Sequence, residues 1–262
     1  MDDGLFADDA VIRRVAGEGL LLAGGGRATL LQIAHPEVAR GVFLHSDFAE
    51  RPLDRLRATL TYAYGVLYGT RDEARSVSRA VRAMHRRVAG ADDPALLVWV
   101  NATLYDTALL LHERAFGPLP PDEADECYRQ YSVLATAIGC PASAWPDDRE
   151  AFARYYTGTL ASIRVSDEAR RIASALLGPR RFPVGLRPAV AVTRFVTVGL
   201  LPAPIRDDFG YPWTPGQQRR LDRALTVGTS VYRRLPVGVR HLPKNHYLAG
   251  LRRRRHSFAT VG

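Results

Sequence analysis

The chain has 262 residues, 47% of them hydrophobic, with a formal net charge of +9 at neutral pH. Such a length and apolar share support a sizeable globular core and exclude a solvated, disordered polymer. The excess charge alone does not specify nucleic acid or a membrane, because Lys244 is the single lysine among 36 basic residues and scattered surface arginines account for the balance.

In chain order, residues 1–26 start acidic and hold a very short apolar run, unlike a secretory signal. A short apolar helix is predicted over 27–34, stopped by Pro36, which places His35 at a bend. Pro36 opens a second short helix ending near Leu44, so His45 lies at its end. Residues 53–68 and 72–89 are amphipathic, and in the latter Val77, Val81, Met84 and Val88 form a stripe expected to be buried, with His85 on or beside it. Asp93-Pro94 caps a long, nearly all-apolar helix over 95–115. Further helices are predicted at 121–138, 147–162, 166–177, 187–199 and 214–234, with hardly any alternating strand pattern. The expectation is an all-α fold: one helical domain over 1–250 with a ligand pocket between helices, and a basic tail over 251–262. The apolar stretches 95–111 and 189–202 are shorter than the ~20 residues of a membrane span, so no transmembrane helix is expected. Cys127 and Cys140 form no metal or disulfide pattern, which fits a reducing cytoplasm.

Familiar motifs fail one by one. Gly24–Gly26 lack the Lys-Ser/Thr pair of a phosphate loop and have Thr29 where a dinucleotide turn needs glycine, so they read as a flexible turn before a helix. His45-Ser46-Asp47 matches half of an iron facial triad, but this helical pattern offers no β-sandwich to carry it. "HERAF", residues 112–116, lacks the second histidine of a zinc protease helix, and no serine sits in a Gly-x-Ser-x-Gly elbow. What stands out is polarity inside apolar helices. Asn101, Thr103, Tyr105, Asp106 and Thr107 interrupt the long helix, either bonding among themselves or forming the polar edge of a ligand cavity. Arg55 and Thr59, four apart, share a helix face, and His85 is a lone imidazole on an apolar stripe.

Taken in order, "GGGRATLLQIAHP", "HSDF", "RLRATL…LYG", "RAMHRRV", "DDPALLVWVNATLYDTAL" and "VTVGLLPAPIRDDFGYPWT" resemble the MpaB oxygenase and rubber oxygenase (latex clearing protein) catalytic domain family over nearly the whole chain. The resemblance implies an all-helical fold holding heme b, and cleavage of carbon–carbon double bonds in isoprenoid chains with dioxygen. Carried over by position, the axial iron ligand falls on His85, and the distal arginine and threonine on Arg55 and Thr59. Ala58 stands where rubber oxygenases have an iron-capping lysine, leaving the sixth site open, water-filled or taken by a group such as His45. Asn101 replaces a histidine common in relatives and cannot shuttle protons at physiological pH.

Arg27 is the candidate partner of the heme propionates, with His35, Asn101 and Thr103 as further cofactor-side candidates. His85 is expected to hold its tautomer by donating its second ring N–H to an acceptor. The expected partners are an apolar small-molecule substrate, between the helices at 53–68 and 95–115, and dioxygen or peroxide, with no specific nucleic acid. Peripheral membrane contact through the basic tail is a further expectation. A non-catalytic heme or hydrophobic-ligand binding protein is the competing reading, since Ala58 and Asn101 both depart from the family pattern.

Overall fold

A computed structural model describes residues 3–45, 52–86, 88, 90–178 and 183–259. Among them the chain forms fourteen α-helices and no strand, only an isolated bridge between Gly4 and Thr70. The all-α expectation holds.

Helix α1 (Val11–Ala16) and a 3-10 segment (Gly19–Gly24) lead into α2 (Gly25–Ala34) and α3 (Pro36–His45), which meet at the predicted bend. Helix α4 (Pro52–Tyr68) packs against α5 (Arg71–His85), whose start is fixed by a capping box: Glu73 N–H donates to Thr70 Oγ1 (3.2 Å) and Thr70 N–H to Glu73 Oε2 (2.9 Å). Helix α6 (Pro94–Phe116) begins where Asp93 accepts from the N–H groups of Ala95 and Leu96, and runs through the middle of the molecule against α2 and against α7 (Pro121–Ala137). Helices α8 (Arg149–Ser162), α9 (Asp167–Leu177), α10 (Arg187–Leu200), α11 (Ala203–Asp208) and α12 (Pro215–Arg234) complete the shell. Helices α13 (Val237–Arg240) and α14 (Leu242–Ala259) close the described chain.

Helix α6 is apolar and long enough to cross a membrane by length and composition, which the shorter predicted stretch did not anticipate. Its most apolar window is 56% buried against other helices, and it carries the Asp106–Arg27 ion pair described below.

Two expectations change. Helix α14 runs through position 251 without a break and packs on α4, with Leu248 buried and Leu251 against the core, so the expected start of a tail falls inside a helix. Side chains beyond Arg253 lie outside the description. The glycine triplet is no flexible turn: Gly24 ends the 3-10 segment, and Gly25 and Gly26 open α2 with helical dihedrals. Its glycines serve close packing instead. A Cβ at Gly24 would overlap Thr107 Cγ2, and one at Gly26 would overlap Thr197 Oγ1 on α10. Alanine is the better helix former by about 1 kcal/mol. Yet overpacking a closed contact costs about 1–3 kcal/mol, so Gly26→Ala is expected to be a net loss. A fall in the urea midpoint at unchanged slope is the check.

Candidate functional site

A cavity of about 530 Å3 opens between α4, α5 and α6. Arg55, Thr59, His85 and Asn101, which share no stretch of sequence, all line it, and Ala58 lies in the same wall. Three of the residues expected to form a buried stripe on α5, or to continue it, line this space instead: Val81 and Val88 are half-buried and Met84 is 47% exposed. Only Val77 is packed as expected.

Helix α4 presents Arg55 and Thr59 one turn apart. Arg55 Nη2 donates to Gln32 Oε1 on α2 (3.0 Å), and burial pulls its guanidinium below its usual pKa. His85 is the last residue of α5, and its Nδ1 is buried with no hydrogen-bond partner among the described residues. The acceptor expected to fix its tautomer is therefore not found there. Its pKa is lowered first by burial and then by the Arg55 charge, with Asp92 acting the other way. The net result is a neutral imidazole, the form that can coordinate a metal.

Asn101 is 2% exposed, donates from Nδ2 to Leu97 O (2.8 Å) and faces the cavity from α6. The polar residues of α6 divide between the two roles considered for them. Asn101, Tyr105 and Thr107 line cavities, so Thr107 takes both roles. Asp106 and Thr107 bond inward to Arg27.

That engagement removes Arg27 from the cavity. Its Nε donates to Leu200 O (2.8 Å), Nη1 to Thr107 Oγ1 (2.5 Å) and Nη2 to Asp106 Oδ2 (2.6 Å), which also accepts from the Tyr156 hydroxyl (2.8 Å). Residue 27 points from α2 toward α6 and α10, and its donors are spent on protein acceptors. Thr103 is fully buried, donates to Val100 O (2.7 Å) and lines none of the cavities described here. His35 sits at the α2–α3 bend with its Nδ1 buried and without a partner among the described residues, also away from these cavities. The side chain of His45, with residues 46–47, lies outside the described residues.

Gln32 and Tyr62 join the site without having been singled out from sequence. Gln32 is 5% exposed and lines both this cavity and an adjoining one of about 400 Å3 that reaches Leu176 and Val190. A lone amide in an apolar helix was its signal, the same one that drew attention to Asn101. Tyr62 donates to Leu134 O (2.5 Å), and burial raises its pKa.

The family described as "ER-bound oxygenase mpaB/B'/Rubber oxygenase, catalytic domain" matches residues 12–230. Similar relatives are an uncharacterized protein of Mycobacterium bovis and one of Mycobacterium tuberculosis. Each is 31% identical over 213 residues, covering 76% of this chain and 83% of the relative. No solved structure matches the chain significantly.

Proposed function

The chain belongs to the MpaB and rubber oxygenase catalytic-domain family, a family of oxygenases, and from that premise we propose a heme b-dependent oxygenase acting on an apolar, unsaturated small molecule such as an isoprenoid, working in the cytoplasm. The observation that carries this reading is the convergence of His85, Arg55, Thr59 and Asn101 on one cavity.

The residues present fit such a cofactor. The volume of about 530 Å3 lies within the range of ligand pockets, the wall is largely apolar, and a buried imidazole nitrogen there has no partner among the described residues. His85 would hold the iron as a neutral ligand. Arg27 is replaced as candidate propionate partner by Arg57, on a recess of about 250 Å3 that shares Asp54, Ala58, Tyr62, Val81 and Met84 with the main cavity. When bound, the heme supplies the redox chemistry that activates dioxygen or peroxide.

The protein's part is orientation and charge. Arg55 and Thr59 line the cavity with donor-bearing side chains, which would stabilise negative charge developing on a reacting oxygen more than water does. Gln32 holds the Arg55 guanidinium in position. Val81, Val100, Leu104 and Ile138 give the same space an apolar wall. Asn101 does not ionise, so it orients by hydrogen bonding and relays no proton. Ala58 leaves the space over Thr59 without a competing amine.

The test is the absorption spectrum of chain produced with heme precursor, for wild type and His85→Ala. A strong Soret band lost in the variant is the expected result, followed by oxidation of an isoprenoid alkene. A full, unchanged Soret band in His85→Ala would overturn the ligand assignment. Reversible dioxygen binding without alkene oxidation would support the carrier reading, which the replacement residues Ala58 and Asn101 favour.

A further inference from the structure

Beside the main cavity, α1, the 3-10 segment, α2, α4, α6 and α7 line a side chamber of about 160 Å3. Its wall includes Val15, Leu60, Ala63, Leu67, Ala108 and Leu134. Thr59, Tyr62, Asn101 and Leu104 belong to both walls, so the two spaces meet at these residues.

Several polar side chains of the chamber are turned to other partners. Tyr62 donates to Leu134 O, Tyr131 to Asn101 O (3.2 Å) and Asn101 to Leu97 O, while Thr107 accepts from Arg27. The Tyr105 hydroxyl is the buried one left without a partner among the described residues. A buried water makes about 2–4 hydrogen bonds, and an apolar cavity of ~150 Å3 stays dry and takes benzene or xenon. The rest of the wall is almost entirely apolar, so the chamber suits hydrocarbon better than water.

We infer that the side chamber receives the hydrocarbon end of the ligand, about six carbons by comparison with benzene, while the rest of the ligand lies beside Arg55 and Thr59. The assignment rests on the functional reading above for the identity of the reacting part, and on the chamber alone for the apolar end.

The experiment uses the full chain without heme. Crystals under xenon pressure are expected to show xenon in the chamber, and n-alkanol affinity is expected to rise about fourfold per methylene before levelling near six carbons. Ala63→Phe, which fills the chamber, removes both effects. Should that variant fail to fold, Ala108→Leu is the second filling substitution, and the xenon position in wild type stands independently. No xenon in the wild-type chamber, or alkanol affinities unchanged in the folded filled variant, overturns the inference. Benzene binding with no dependence on alkanol length also overturns it, since the site then takes a detached molecule and not a chain end. Heme titrated in parallel separates the two readings. Heme binding without xenon defeats only the chamber, and xenon without heme defeats only the oxygenase.

Discussion

Asp106→Ala is expected to cost about 3 kcal/mol of stability, the lower end of the range for breaking a buried ion pair. The Arg27 side chain is 5% exposed and would stay charged with only Thr107 Oγ1 and Leu200 O as acceptors, while the Tyr156 hydroxyl would lose its acceptor too. Asp106 itself is 28% exposed, which places the effect at the low end. In a chain of this size that corresponds to a fall in Tm of about 10 °C. Asp106→Asn keeps an acceptor and is expected to lose less. Calorimetry decides the matter: an unchanged Tm in Asp106→Ala would mean that Arg27 is not tied down by this contact and is available to a ligand.

Arg55→Leu is expected to lower turnover of the heme-loaded chain by about 10²–10³-fold, the usual cost of removing one donor aimed at developing negative charge. Heme content should be retained, because the substitution leaves His85 in place. A second readout needs no heme. The Arg55 charge helps hold the His85 pKa below the usual 6.5, so in Arg55→Leu an NMR titration of the His85 ring should move upward toward that value. The sign for stability follows. With the folded pKa below the unfolded one, the unfolded chain takes up the proton first, so the His85 contribution is complete above pH 6.5 and is lost as pH falls below it. The variant should lose less stability over that window. Turnover within a few-fold of wild type, with an unmoved His85 titration, would remove Arg55 from the site.

Local pattern carried the sequence reading where the fold is local. Helices α4, α6 to α10 and α12 lie where capping residues, proline and apolar periodicity put them, and the bend at His35 follows from Pro36, whereas α5 starts as expected but stops at His85, four residues short of 89. The short helices α1, α11 and α13, of six, six and four residues, give too few turns for a period to register. Met84 belongs to an apolar stripe, but periodicity cannot tell a face packed on protein from a face lining a cavity. The direction of Arg27 is hidden for a related reason. Its acceptors on α6 lie about eighty positions away, at 106 and 107, and its place at a helix start says nothing of where its guanidinium goes. The glycine triplet was read for backbone freedom, whereas its use is proximity, which depends on Thr107 and Thr197.

The last helix covers the helix that carries Arg55 and Thr59, and that has a consequence for timing during biosynthesis. Helix α14 packs on α4, and Glu18, 5% exposed near the beginning of the chain, bonds to Arg240 Nη1 (2.8 Å) and to the Tyr232 hydroxyl (2.8 Å) near its end. At ribosomal rates of about 5–20 residues per second, α4 waits about 10–40 seconds for α14 to be made. Until α14 has left the exit tunnel, one flank of α4 is bare, and until Tyr232 and Arg240 are made Glu18 lacks both of these partners. The lining of the main cavity, which ends in sequence at Ile138, is therefore made well before the helix that braces α4 from outside.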